Sequence, residues 1–172
     1  MQAKTVVELL KLCAEYEIDV VIDGGWGVDA LLGRQTRDHE DLDIAIPHKD
    51  VPKLRRLLSN IGFSDVPRND TRECNFVLGD DLGNLVDVHS YIFDREGRNI
   101  YGVAYLPEHL TGKGVIDNYP VRCIAPEWAV KFHTGYELDQ NDFLDTLALC
   151  KHFDIPLPEE YDKFIDGNGQ KG

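Results

Sequence analysis

Two aspartates one residue apart, Asp41 and Asp43, are the side chains in this sequence best suited to chemistry. They alternate with Leu42, Ile44 and Ile46, and this period of two predicts a β-strand that points both carboxylates to one face. Two like charges on a partly buried face are unfavourable unless a cation neutralises them. Mg²⁺ prefers oxygen ligands and often takes only one or two protein carboxylates, with phosphates and waters completing its shell. The pattern therefore predicts a magnesium ion that carries a nucleotide.

A third carboxylate lies in a later apolar stretch, residues 85–93, where Asp87 and His89 share a face. Residues 76–78 form a shorter apolar run, and the glycine-containing turn between the two runs predicts an antiparallel hairpin. On a strand next to the first, Asp87 would bind a second ion or take the proton from an attacking hydroxyl. We therefore add Asp87 to the catalytic residues and metal ligands, and we predict that His89 contacts the substrate.

A glycine pair precedes the aspartates. Residues 18–22 are apolar and rich in β-branched side chains, which predicts a strand, and a turn containing Gly24 and Gly25 follows it. Adjacent glycines adopt backbone angles that other residues avoid, and they let a ligand approach the exposed amide N–H groups. Residues 26–32 predict a short helix, whose N-terminus favours an anion. Gly24 and Gly25 are therefore predicted to bind the phosphates of the nucleotide.

Four residues around this turn have two interpretations each. Asp29 either orients the glycine turn by hydrogen bonding or is an exposed aspartate of the first helical turn. Trp26 either lines the substrate pocket or packs in the core. Arg37 and His39, in the polar connection before the aspartates, either contact phosphate oxygens or belong to a solvated loop. Trp26 is taken as a substrate contact, and Arg37 and His39 as nucleotide contacts.

Two further candidates come from the last third of the chain. Lys131 lies in a helix that Pro126 opens, since proline is accepted in a first turn. It is either a phosphate contact or a surface lysine whose stem covers apolar neighbours. Tyr136 follows Gly135 and either lines the pocket for the acceptor or the base, or serves only packing.

The remaining elements predict an α+β fold, a mixed sheet flanked by helices. Helical spacing of apolar residues marks residues 5–16, 49–61 and 142–153, and residues 121–124 read as a strand. Residues 94–119 show little periodicity and predict a long loop with short strands, which covers the substrate. The predicted organisation is a core at 1–125, a helical segment at 126–165 packed on it and a disordered tail at 166–172.

Composition and charge exclude several classes of protein. The net charge of −13 argues against nucleic acid as the main partner, because such binding depends on Lys and Arg neutralising phosphates. No apolar run approaches the roughly 20 residues that a membrane helix requires, and the N-terminus is too charged for a signal peptide, so we expect a cytoplasmic protein with no membrane partner. The four cysteines form no CxxC pair and read as buried free thiols. A monomer and a homodimer both stay open.

Together these motifs resemble the DNA polymerase β-like nucleotidyltransferase superfamily, and more closely its small antibiotic nucleotidyltransferases of the lincosamide and aminoglycoside types. The resemblance extends from about residue 18 to residue 153 and rests on four segments. They are 23–29 (DGGWGVD), 37–43 (RDHEDLD), 85–89 (LVDVH) and 132–136 (FHTGY).

The resemblance implies an activity and roles for individual residues. It implies that Gly24 and Gly25 hold the triphosphate, that Asp41 and Asp43 bind Mg²⁺, and that Asp87 is the third carboxylate, the base in the aminoglycoside branch. His89 is like the lincosamide branch, and Asp145 is implied to be structural. The implied reaction is transfer of AMP from ATP to a hydroxyl of a small antibiotic, with pyrophosphate leaving.

Two other functions compete with this interpretation. Gly25, Gly27 and Ala30 fit a dinucleotide-binding fingerprint after a strand, with Asp43 near the expected offset, so an oxidoreductase is one alternative. Two observations count against the oxidoreductase. Residues 26–32 are too few for the helix of a crossover, and the next strand carries two aspartates where one is enough to bind the ribose. The second alternative is an antitoxin-like nucleotidyltransferase that adenylylates a partner protein.

Overall fold

The computed structural model describes residues 1–167, and one mixed β-sheet of eight strands organises this part of the chain. The strands are β1 (Val21–Ile22), β2 (Asp41–Pro47), β3 (Ser64–Val66), β4 (Asn75–Gly79), β5 (Leu85–Phe93), β6 (Asn99–Gly102), β7 (Gly112–Ile116) and β8 (Tyr119–Cys123). Their order in the sheet is β3-β4-β5-β2-β1-β8-β7, and β6 pairs with the C-terminal end of β5.

Among the described residues, six α-helices flank this sheet, so the predicted α+β fold is confirmed. The predicted tail at 166–172 begins within the last helix, and its residues 168–172 lie outside the described part of the chain. The helices are α1 (Ala3–Glu15), α2 (Gly24–Leu32), α3 (Val51–Asn60), α4 (Pro126–Phe132), α5 (Gln140–Phe153) and α6 (Asp162–Gly167).

The central strands place the aspartates. Strand β2 runs parallel to β5 and antiparallel to β1, and the register sets Asp43 directly opposite Asp87. Leu42, Ile44 and Val88 face the other way and are buried in the core. A dinucleotide-binding fingerprint requires consecutive strands that run parallel around a crossover helix. Because β1 and β2 are antiparallel, the oxidoreductase alternative is wrong.

The segment 94–119, predicted as a long loop with short strands, contains β6, β7 and the first residue of β8. The β7–β8 hairpin turns at Asp117 and Asn118, whose φ angles are 47° and 62°. Two positive φ angles at the centre of a two-residue turn are typical of the tightest hairpins. The sequence did not give the bounds of β7, because it contains Gly112 and Gly114, which are uncommon inside strands.

Those glycines let β7 approach its neighbours closely. A Cβ on Gly114 would lie 2.3 Å from the carbonyl oxygen of Ala30 in α2, and one on Gly112 would lie 2.4 Å from the carbonyl oxygen of Ile124. Strand β7 and helix α2 are therefore packed backbone against backbone. This contact fixes the helix that begins at Gly24.

The C-terminal helices share the core of the sheet. Ala129 and Val130 of α4 and Leu149 of α5 are buried in the same cluster as the strands. A smaller cluster joins Phe143 and Tyr161. The segment predicted at 126–165 thus buries side chains against the rest of the chain.

Cys13, Cys123 and Cys150 are buried and Cys74 is half-buried, and all four are free thiols. Within residues 1–167, no helix has the length and apolar character needed to cross a membrane.

Candidate active site

The acidic side chains meet on one face of β2 and β5. Single ligand atoms from Asp43, Asp87 and His89 lie within 4.8 Å of one another. Asp41 stands on the same face two residues before Asp43, opposite Leu85 of β5. The structure thus brings together the four residues of the two strands that the sequence predicted.

Helix α2 begins at this cluster. Asp23 caps the helix, its Oδ1 accepting a hydrogen bond from the Gly24 amide at 2.8 Å. Gly24 has a φ of +56°, and a Cβ there would lie 2.1 Å from Oδ2 of Asp43. Only glycine fits, because a side chain would both strain the backbone and displace the carboxylate. The helix N-terminus, with its free amides, is therefore adjacent to the aspartates.

The residues of this cluster fit a divalent cation. Oδ1 of Asp87 is buried and has no hydrogen-bond partner among the described residues. Burial, together with the neighbouring charges of Asp41 and Asp23, raises the pKa of Asp43 to about 7. A carboxyl group with a raised pKa lacks compensating positive charge. Carboxylate oxygens without a cationic partner are the ligands that Mg²⁺ prefers, so the predicted magnesium ion is chemically consistent with this site.

A chain of polar contacts links Asp87 to the cap of α2. Nε2 of His89 lies 3.3 Å from Oδ1 of Asp87 in an ion-pair contact, and its Nδ1 lies 3.3 Å from the hydroxyl of Tyr105. That hydroxyl donates to Oδ2 of Asp23 at 2.7 Å. Burial lowers the pKa of His89, but the close contact with Asp87 and the charges of Asp87 and the other carboxylates outweigh it, and the net shift is upward. A charged imidazole would pair with Asp87 and donate to Tyr105.

Two members of this chain were missed by the sequence analysis. Tyr105 falls in the predicted loop, and burial and the charge of Asp23 raise its pKa well above the usual value, so it stays a neutral hydrogen-bond donor. Asp23 was noted only as part of the glycine turn. An aspartate before a helix-starting glycine is a typical N-cap, and this was the available signal.

Arg68 is the third residue that the sequence did not indicate. It lies between β3 and β4, and its Nη1 donates to Oδ2 of Asp87 at 3.1 Å. Its Nη2 lies 3.9 Å from Oδ2 of Asp41. The segment around it is polar and aperiodic, so no pattern pointed to this contact.

Arg37 and His39 lie beside the glycine pair, but both are already paired. A Cβ on Gly25 would lie 2.4 Å from Nδ1 of His39 and 2.7 Å from Nη2 of Arg37. Arg37 forms a fork with the buried carboxylate of Asp145, with Nη2 at 2.8 Å and Nε at 3.2 Å. Nε2 of His39 lies 2.5 Å from the carboxylate of buried Asp29. The two residues therefore hold the connection before β2 against helices α2 and α5.

Asp29 has a role other than the two predicted. It is buried, and its Oδ1 accepts hydrogen bonds from the amide and the hydroxyl of Thr36, at 2.9 and 2.5 Å. It thus orients the loop after α2, and it acts on the glycine pair only through His39. Asp145 is buried and paired with Arg37, in agreement with a structural role.

Three residues predicted to contact the nucleotide or the substrate interact with residues other than the carboxylates of the cluster. Trp26 is 1% exposed and its ring packs 4.7 Å from that of His39, so it is a core residue, and the prediction of a substrate contact is wrong. The ammonium of Lys131 lies over the ring of Trp128 at 4.8 Å. The hydroxyl of exposed Tyr136 donates to Asp142 at 2.7 Å.

Acidic residues on two parallel central strands, beside the N-terminus of a helix, define the nucleotidyltransferase class of enzyme. A sequence model described as aminoglycoside-2''-adenylyltransferase matches residues 5–149. The chain belongs to this family and is a nucleotidyltransferase.

Individual relatives agree with the assignment. The chain is 28% identical over 148 residues to a lincosamide resistance protein of Staphylococcus haemolyticus, covering 83% of this chain and 90% of the relative. It is 29% identical over 129 residues to a 2''-aminoglycoside nucleotidyltransferase of Klebsiella pneumoniae, covering 71% and 67%. The fold matches the crystal structure of the lincosamide adenylyltransferase LnuA with a TM-score of 0.76 and 23% identity, covering 91% of this chain and 99% of that one.

Proposed function

We propose that this enzyme transfers AMP from ATP, in a magnesium-dependent reaction, to a hydroxyl of a small antibiotic of the aminoglycoside or lincosamide type. The observation that carries the proposal is the register of β2 and β5. It sets Asp43 opposite Asp87, with Asp41 on the same face and the start of α2 at Gly24 beside them.

Asp41 and Asp43 would hold the Mg²⁺ ion, which when bound neutralises charge on the nucleotide phosphates. The amides at the start of α2, at Gly24 and Gly25, bind the polyphosphate through the helix dipole. Because Gly24 lies against the carboxylate of Asp43, phosphates at this helix end are held next to the metal ligands. This arrangement positions the α-phosphorus for in-line attack.

Asp87 takes the proton of the attacking hydroxyl. The hydroxyl oxygen forms a bond to the α-phosphorus, the bond from that phosphorus to the β-bridging oxygen breaks, and pyrophosphate leaves. His89 and Tyr105 hold the carboxylate of Asp87 in place from the side of α2. One oxygen of Asp87 can also contact a metal ion while the other accepts the proton.

The acceptor class rests on the named relatives and on charge. Those relatives are a lincosamide resistance protein and aminoglycoside nucleotidyltransferases. The net charge of −13 attracts cationic antibiotics of either type. We place the reaction in the cytoplasm, where ATP is available.

An acceptor screen tests this function. Purified protein with Mg²⁺ and α-labelled ATP is incubated with a panel of aminoglycosides and lincosamides, and the drugs are analysed by mass spectrometry. We expect one class to gain the mass of AMP, with release of pyrophosphate, and Asp43→Asn to abolish the gain. Label that appears only on protein would contradict the proposal and favour the antitoxin-like alternative.

A further inference from the structure

Arg68 lies where a metal ion would have to bind. Its Nη1 donates to Oδ2 of Asp87 at 3.1 Å, and its Nη2 lies 3.9 Å from Oδ2 of Asp41. A guanidinium and a divalent ion cannot use the same oxygens at full strength, because each would repel the other at this distance. The residue thus competes with the metal for part of its ligand set.

We propose that Arg68 is a resident counter-ion of the metal site, which neutralises Asp41 and Asp87 in the free enzyme and gives way when the metal binds. The inference rests on the proposed function, which assigns the metal to Asp41 and Asp43 and allows Asp87 to contact it. It adds a role for a residue outside the four segments on which the family resemblance rests, on the loop between β3 and β4.

The loop allows the Arg68 side chain to move away from the carboxylates without a change in the loop backbone. The amide of Arg68 donates to Oγ1 of Thr71 at 2.9 Å, and the amide of Thr71 donates to the carbonyl of Arg68 at 3.2 Å. These bonds close the turn without the guanidinium. The side chain is 39% exposed, so it has solvent to move into. Displacement therefore needs rotation of one side chain and no unfolding of the loop.

The contacts are also weak enough to be exchanged. Partly exposed ion pairs contribute little, and the contact with Asp41 is long. Arg68 pairs with Asp87 and Asp41 but not with Asp43. Within residues 1–167, Asp43 forms no ion pair with Arg68 or with any other cation. A divalent ion can therefore approach through Asp43 while the guanidinium still holds the other two carboxylates.

The experiment measures Mn²⁺ binding to the full chain without nucleotide, by titration calorimetry or by the electron paramagnetic resonance of free Mn²⁺. Arg68→Gln removes the competing charge, and we expect it to bind Mn²⁺ roughly tenfold more tightly than the wild type. Arg68→Lys keeps a cation but cannot bridge two carboxylates, and its dissociation constant should lie between the two.

Arg72→Gln is the matched control. Arg72 is exposed on the same loop and forms no ion pair within residues 1–167, so this variant makes the same change of net charge without touching the site. Its Mn²⁺ affinity should stay within about twofold of the wild type. In EDTA, Arg68→Gln should also melt below Arg72→Gln, because Asp41 and Asp87 then lose their guanidinium partner, and Mn²⁺ should raise its melting temperature by more.

The outcomes separate the two proposals. Equal Mn²⁺ affinity of Arg68→Gln and Arg72→Gln would overturn the counter-ion role, as would weaker binding by Arg68→Gln. If the wild type binds Mn²⁺ and Asp43→Asn does not, the metal site survives that result. If neither the wild type nor Arg68→Gln binds more Mn²⁺ than Asp43→Asn, both the counter-ion role and the metal-dependent function are overturned.

Discussion

At the scale of single residues, the site is a group of carboxylates with too little positive charge. Burial raises the pKa of Asp43, and the neighbouring charges of Asp41, Asp23 and Asp87 raise it further. This arrangement costs stability in the free protein. The carboxylates stay close together because the rest of the fold holds their strands in register. Such destabilising clusters of like charge are typical of functional sites, here one that can bind a cation.

The raised pKa of Asp43 predicts that replacing this residue by asparagine stabilises the protein, and that the stabilisation depends on pH. Its pKa is about 7 in the folded protein and near 3.8 in the unfolded chain, so the folded state binds more protons between these values. The stability that the proton on Asp43 gives to the folded state is fully present below pH 3.8. It is lost as the pH rises from there through about 7. Asp43→Asn in EDTA should therefore raise the melting temperature at pH 8 by about 5 °C, and by much less at pH 5.

Scanning calorimetry at both pH values measures this difference. Asp81→Asn, at an exposed turn position, is the control and should shift the melting temperature equally little at either pH. A lower melting temperature of Asp43→Asn at pH 8 would contradict the raised pKa.

At the scale of elements, the close contact of β7 with α2 decides where the N-terminus of α2 lies, the end that we propose to bind phosphate. Gly114 in β7 permits the contact, and the Asp23 cap and Gly33, with a φ of 67°, set the two ends of α2. Displacing β7 would shift α2 and with it the amides beside Asp43.

Gly114→Val tests this contact. Its side chain would overlap the backbone of Ala30, and overpacking of this kind costs about 1–3 kcal/mol. Urea unfolding should show that loss, together with a raised Michaelis constant for ATP. The control is Lys113→Val, one residue earlier and exposed, which should change neither by much. Wild-type stability of Gly114→Val would mean that β7 and α2 are less closely packed than described.

At the scale of the whole molecule, an ion pair between half-buried Arg37 and buried Asp145 ties helix α5 to the start of α2. Arg37 lies beside Gly25, and the side chain of Asp145 is only 3% exposed. The pair spans 108 positions along the chain. The helical segment thereby fixes the loop that leads into β2.

Arg37→Met should leave Asp145 buried without a partner and destabilise the protein by about 2–3 kcal/mol, since loss of one member of a buried pair is costly. Adding Asp145→Leu should recover part of this loss. Urea unfolding of the single and double variants measures both effects. A raised Michaelis constant for ATP with unchanged stability would instead make Arg37 mainly a phosphate contact.

The sequence by itself determined the elements with local signals. Alternation around Asp41 and Asp43 predicted their shared face, and the glycines and apolar spacing predicted α2, α3 and the β4–β5 hairpin. The family resemblance is confirmed by the match over residues 5–149. These features depend on neighbours within a few residues, and such information is present in the sequence itself.

Only the tertiary structure decided the partners. Arg68 reaches Asp87 across 19 positions and Tyr105 reaches Asp23 across 82, and no local pattern encodes either contact. The bounds of β7 escaped prediction because its glycines serve close packing, Gly114 against α2 and Gly112 against Ile124, and a sequence pattern reads such glycines as a loop. Side chains chosen for distant neighbours carry no periodic signal, because the distance that matters is set by how the sheet brings its strands together.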